Sequence, residues 1–105
     1  MITETSITIR LETFSWISAS LGMPETGRRQ MQRKLKEGAV LGDLFQDLAA
    51  SFPEFVKQVY NPSKGWTSNE VMVIVNHKLI QISDMDRLQL KDNDEVSLSP
   101  VLVGG

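Results

Sequence analysis

The chain has no cysteine. Disulfides, thiolate metal sites, persulfide carriage and cysteine nucleophiles are therefore all excluded. Its one histidine, His77, falls in a turn with no carboxylate or nucleophile at motif spacing, so it reads as a solvated surface residue and not as a general base. A charge excess is also missing: eleven basic residues against thirteen acidic ones leave a net charge of −2, which provides no footprint for direct binding of nucleic acid. The longest apolar run, Val71 to Val75, is far too short to span a bilayer. The stretch Met1-Ile2-Thr3-Glu4-Thr5 lacks the basic segment and apolar core of a signal peptide, so the expected location is cytoplasmic, with no membrane partner. Asp84, Asp86, Asp92 and Asp94 lack the loop spacing and closing glutamate of a calcium hand. They read as turn solvation, and no metal or bound cofactor is expected of the chain itself.

At 105 residues the chain is sized for a single domain, 1–105, able to fold without covalent staples. Ile7, Ile9 and Leu11 alternate with Thr8, Arg10 and Glu12, which predicts an opening strand with one face buried. Phe14 to Pro24 has no clean period and is punctuated by Gly22 and Pro24, so a loop or broken turn is expected there. Residues 28 to 36 read as a second strand bracketed by Gly27 and Gly38. Leu41, Leu44, Phe45, Leu48, Phe52, Phe55 and Val56 recur at three- and four-residue steps, the mark of one face of an amphipathic helix. Asp43 suits its first turn, although Gly38-Ala39-Val40 offers no strong side-chain cap. Pro53 either kinks that helix or opens a further helical turn. Asn61 to Asn69 is rich in turn formers and reads as a loop. Val71-Met72-Val73-Ile74-Val75 is apolar on both faces and is expected to be a central strand. Asn76-His77-Lys78 makes a tight turn, Leu79 to Ile82 a short strand, and Ser83 to Arg87 another turn. In the last strand Val96 and Leu98 face in while Glu95, Ser97 and Ser99 face out, after a turn in which Asn93 is expected to be left-handed.

Strand, strand, helix and three short strands is the order of an α+β, β-grasp (ubiquitin-like) domain: a mixed sheet of four to five strands packed on one main helix. Its last residues, Pro100-Val101-Leu102-Val103-Gly104-Gly105, read as an extended tail, 100–105. Two glycines make the slimmest and most pliable end a chain can have, and the tail fully extended reaches about 17 Å. A glycine carboxylate so presented fits a narrow enzyme channel.

The block Val71 to Asn76, the segment Leu90-Lys91-Asp92-Asn93-Asp94-Glu95-Val96, the tail and the helix opening Val40-Leu41-Gly42-Asp43-Leu44 resemble the small-subunit family of molybdopterin synthase and its thiamine-pathway relatives. These are ubiquitin-like sulfur carriers. The chain departs from the molybdopterin branch at Asn93, where the turn glycine usually stands, at Val101 in place of a second proline, and at Ser99 in place of an apolar residue. The resemblance implies that a ubiquitin-activating-type adenylyltransferase uses ATP to adenylate Gly105, whose carboxylate then becomes a thiocarboxylate. Gly104, Val103 and Leu102 would line the tail's route through the partner's channel. The domain would be a protein cosubstrate and not an enzyme, working with a molybdopterin synthase large subunit or another sulfur-acceptor enzyme. Molybdopterin, for the molybdenum or tungsten cofactor, is the expected destination of the sulfur. Three alternatives stay open: a carrier for transfer-RNA thiolation, a modifier conjugated through Gly105 to lysines, and an interaction module with an inert end.

Other residues have plainer readings. The cluster Arg28-Arg29-Gln30-Met31-Gln32-Arg33-Lys34 is expected to be the solvated side of an edge strand, the other reading being a patch for an acidic or phosphate-bearing partner. Trp16 and Trp66 are expected to cap a small core. Arg10, Met72 and Ile74 mark an outer sheet face on which partners of such a carrier would dock.

Overall fold

Alternating apolar residues build the sheet first. The computed structural model describes residues 5–67 and 70–101. Strand β1, Ser6–Phe14, buries Ile7, Ile9, Leu11 and Thr13 and turns its even-numbered residues outward. It pairs antiparallel with β2, Arg28–Lys36, from Ser6 opposite Lys36 to Phe14 opposite Arg28. Strand β7, Glu95–Pro100, lies parallel to β1 and antiparallel to β5, Val71–Val75. Strand β6, Lys78–Ile80, closes the order β2-β1-β7-β5-β6. The result is the expected β-grasp, with five strands in its mixed sheet. Helix α2, Leu41–Ser51, covers the inner face with Leu41, Leu44, Phe45 and Leu48, all fully buried against that face's apolar residues.

The start of α2 explains how a helix begins without a capping side chain. Its first N–H groups are taken by carbonyl oxygens: Leu41 donates to Leu88 at 2.8 Å, Gly42 to Met85 at 2.9 Å and Asp43 to Val40 at 2.9 Å. Asp43 Oδ2 in turn accepts the N–H of Val40 at 2.8 Å. The segment after β6, with a short 3₁₀ helix at Ile82–Asp84 where the end of a strand and the start of a turn were expected, thus serves as the cap. Pro53 opens a separate helix, α3, Pro53–Gln58, at a position where its missing N–H costs nothing.

Four expectations need correcting. Residues 14 to 24 are irregular only from Leu21 onward: Phe14 ends β1 and Ser15–Ser20 form helix α1, whose Ser18 is buried with its hydroxyl 2.7 Å from that of Thr13. Buried hydroxyls satisfied in this way give a polar sequence to an inward face. The loop expected over 61 to 69 contains part of a small hairpin, β3 Tyr60–Asn61 with β4 Gly65–Trp66. The short strand expected over Leu79 to Ile82 is instead Lys78–Ile80, and Ile82 opens a 3₁₀ helix, whereas β5 is paired on both sides, as expected of a central strand. The tail does not start at Pro100, which lies in β7 opposite Val71. The turns behave as expected. Asn76 and His77 both have positive φ, 49° and 71°, in the two-residue connection of β5 to β6, as a mirror-image hairpin turn requires, and Asn93 has φ 68°.

Phe45, Tyr60 and Trp66 form one aromatic cluster: Phe45 and Trp66 meet edge to face at 5.0 Å, and Tyr60 and Trp66 at 5.1 Å. Burial, aided by the charge of Asp86, raises the pKa of the Tyr60 phenol above its ordinary 10.0. The unfolded chain therefore releases this proton first as pH rises, so stability declines between about pH 10 and the higher folded value and is unaffected below. Denaturation midpoints measured across this range should fall for the wild type and fall less for Tyr60→Phe.

Candidate functional site

Strand β7 is bonded on both flanks, which fixes the point from which the C-terminus departs. On the β5 side Asn76 N–H donates to Glu95 O at 2.9 Å, and the same alternation ends at Val101, whose N–H donates to Glu70 O at 2.7 Å. On the β1 side the parallel ladder stops at Thr13 opposite Leu98. The next rung would require an N–H from Pro100, which proline lacks, and β1 has by then given way to α1. Pro100 is thus a built-in stop on one flank, while the other flank holds the chain for one more residue. Gly105, Gly104, Val103 and Leu102, the residues to which the sequence assigns the chemistry, lie outside the described residues.

Beside this exit the outer face of the sheet divides into two halves. Met72 and Ile74 of β5 are half-buried there, opposite Ser99 and Ser97. Leu79 of β6, opposite Ile74, is 69% exposed, and Val101 is 38% exposed. Small serines beside large apolar side chains leave a shallow apolar surface that runs to the last anchored residue. The other half is polar: Arg10 Nη2 lies 2.7 Å from Glu95 Oε1, with His77 Nε2 3.9 Å from Oε2 of the same carboxylate. Arg10 therefore marks the rim of the apolar patch and not its interior.

Two of the four aspartates, Asp92 and Asp94, are occupied in holding the turn before β7. Asp92 Oδ1 accepts the N–H of Thr8 at 2.7 Å, Asp94 Oδ2 that of Lys91 at 2.7 Å, and Asp94 Oδ1 the amide of Asn76 at 2.9 Å. Together they clamp the turn before β7 onto β1 and the β5–β6 hairpin. Among the described residues no group of three or more histidines or acids is arranged to hold a metal ion. No helix among them is long and apolar enough to cross a membrane. Trp16 and Trp66 are both half-buried and pack against the core cluster, in line with the capping role expected of both.

Two features of this site carried no signal that sequence reasoning could use. The Val101–Glu70 bond is between backbone groups, and the outward direction of Leu79 depends on the register of a three-residue strand.

The model of the ThiS family matches residues 23–105. The sequence has no match among curated proteins. Among solved structures, the fold is similar to small archaeal modifier protein 1 of Haloferax volcanii, with a TM-score of 0.72 at 16% identity over 91% of this chain and 99% of that one. It is also similar to the small archaeal modifier protein 1 of Methanosarcina acetivorans, with a TM-score of 0.68 at 17% identity over 96% and 99%. A putative molybdopterin converting factor, subunit 1, from Pyrococcus furiosus gives a TM-score of 0.67 at 19% identity over 91% and 99%. At these identities the structural likenesses establish the shared fold.

Proposed function

The chain belongs to the ThiS family, and on that premise we propose that it is a sulfur carrier whose Gly105 carboxylate is adenylated and converted to a thiocarboxylate, with molybdopterin synthesis as the pathway served. The observation that carries this reading is that the family match runs through the Gly-Gly end to Gly105. In the activation step a carboxylate oxygen attacks the α-phosphorus of ATP and pyrophosphate leaves. Hydrosulfide then adds to the acyl carbon and AMP departs, so a C–S bond replaces a C–O bond with no change in redox state. The nucleophilic sulfur displaces an oxygen leaving group from an electrophilic carbon of the acceptor, forming a thioester, and water then cleaves the acyl–sulfur bond, restoring the carboxylate and leaving the sulfur on the acceptor as a thiol. Each step is carried out on a partner, an adenylyltransferase using ATP and then a synthase large subunit or another sulfur acceptor, and this chain presents the reacting group.

The anchored exit supports that presentation. From Val101, four further residues span at most about 14 Å, so the partner's active site must come within that distance of Val101. The apolar patch of Met72, Ile74, Leu79 and Val101 is the surface on which the activating partner would sit. Replacing Leu79 by aspartate should therefore leave the melting temperature nearly unchanged, because the side chain is 69% exposed. In a pyrophosphate-release assay the same change should raise the KM for the carrier roughly tenfold, the effect of spoiling one anchor of an interface. An unchanged KM would remove this patch from the docking surface.

Intact mass after incubation with ATP, a purified activating enzyme and hydrosulfide tests the reading itself. The expected product is heavier by the exchange of one oxygen for sulfur, with the change confined to Gly105. The likeness to the two small archaeal modifier proteins favours a second reading, conjugation through Gly105 to lysines. Amide-linked products, in place of a thiocarboxylate, would establish it.

A further inference from the structure

The strand β2 is an edge, and it is strongly basic. Arg28, Arg29, Arg33, Lys34 and Lys36 fall within nine residues that contain no acid, in a chain whose net charge is −2. Not all of this charge is available. Arg33 Nε bonds Asp47 Oδ2 at 2.7 Å and its guanidinium lies 5.6 Å from the Phe52 ring centroid, which ties β2 to α2. Arg28 is 3.6 Å from Glu12. Lys34 and Lys36 have no ion-pair partner among the described residues. Arg29 Nε is buried with no hydrogen-bond partner among them.

The phase of the β1–β2 ladder shows what the edge offers. Glu37 N–H donates to Thr5 O at 3.0 Å, so the odd-numbered residues of β2 direct their backbone groups to β1 and the even-numbered ones direct theirs outward. The N–H and C=O groups of Gln30, Gln32 and Lys34 thus form an open row with no backbone partner among the described residues. We propose that this edge receives an extended acidic segment of a partner protein as a sixth strand, its carboxylates meeting Lys34 and Lys36. Its alternate, apolar side chains would lie against Met31 and Leu35, which are half-buried on the inner side. A cavity of about 410 Å³ lined by Leu35, Lys36, Gly38 and Ala39, with Glu37 and Asp43, opens at the end of the strand. Strand addition uses the backbone row for affinity and alternate side chains for specificity.

Charge selects the occupant. A second copy pairing antiparallel about Gln32 would set Arg28 against Lys36, and like charges directly opposite each other oppose such pairing. Nucleic acid offers no repeating backbone donor and acceptor to match the row, and the net negative chain repels it.

The probe is a ten-residue peptide alternating glutamate and valine, added to the full chain and followed by amide hydrogen exchange. Exchange at Gln30, Gln32 and Lys34 should slow by on the order of tenfold or more at saturation, while Met31 and Arg33, already bonded to β1, change little. Lys34→Glu combined with Lys36→Glu should weaken binding by about tenfold. Gln32→Pro, which deletes an outward N–H at an edge that tolerates proline, should abolish the protection. Equal binding of a glutamine–valine peptide, protection mapped to another surface, full binding by the charge-reversed variant, protection that grows with protein concentration alone, or the same protection from oligothymidylate would each overturn the proposal.

Discussion

Valine in place of Gly105 is expected to leave the melting temperature where it was and to cut pyrophosphate release by on the order of a hundredfold or more. The first half of this expectation follows from position. The last described backbone bond of the chain is from Val101, and the packed residues of β7 are Val96 and Leu98. A change four residues beyond Val101 removes no buried contact among the described residues. The second half follows from what adenylation demands. The carboxylate must approach the α-phosphorus of ATP nearly in line, and a branched side chain on the carbon bearing that carboxylate widens the end of the chain where a channel must close around it. Misplacement by about 1 Å is enough to cost two orders of magnitude in rate. Gly104→Val should behave alike, while Ser99→Ala, outside the tail, should not. Adenylation of Gly105→Val at the normal rate would sink the channel argument.

How much of this was legible depends on where the physical signal lies. Strand β1 was readable because alternation follows directly from one buried face, β2 from its bracketing glycines although it only alternates exposed with half-buried residues, and α2 because its apolar residues keep helical spacing through Leu48. Helix α1 was not, because Thr13, Ser18 and Ser20 satisfy their hydroxyls internally, Ser20 Oγ donating to Ile17 O at 2.6 Å, and so place polar letters on a buried face. The β3–β4 hairpin is two residues on each strand, too short to show any period. Strand β5 is an interior strand, as its sequence suggested, but two ideas are separate here. Apolar residues on both faces of β5 report what covers those faces, whereas centrality is a matter of backbone pairing and leaves no mark on side chains. Strand β7 is paired on both flanks and still turns serines to solvent, because nothing among the described residues covers the outer face there. The Gly-Gly tail lies outside the described residues, and the point at which the chain is anchored, Val101 to Glu70, is written only in backbone atoms. Arg33 shows the converse: a residue read as part of a solvated cluster clamps β2 to α2.

Phe45→Ala should produce the largest loss of stability among these changes, about 3–5 kcal/mol. The ring is fully buried on the inner side of α2, so its removal costs the transfer of an aromatic side chain and leaves a cavity. Two further terms add to this. Its edge-to-face contact with Trp66 at 5.0 Å and its tilted contact with Tyr60 at 5.9 Å are both lost, and such pairs contribute about 0.5–1.5 kcal/mol beyond area alone. Tyr60 and Trp66 face each other across the β3–β4 hairpin, so the hairpin loses the ring it packs on. Against a total stability of roughly 5–15 kcal/mol for a domain of this kind, a large fraction disappears. Urea denaturation followed by tryptophan fluorescence should show a lower midpoint with an unchanged slope. A loss under about 1 kcal/mol would mean that the cluster closes over the gap, contrary to close packing. At a temperature where the variant is still folded, adenylation should proceed at the normal rate, because Phe45 lies beneath the inner face while the apolar patch and the exit at Val101 lie on the outer one. Gly105→Val and Phe45→Ala should therefore give opposite pairs of results, activity lost with stability kept and stability lost with activity kept. That separation is what a carrier whose chemistry resides in its tail requires, and a parallel loss of both in Phe45→Ala would place part of the partner's grip on the helical side.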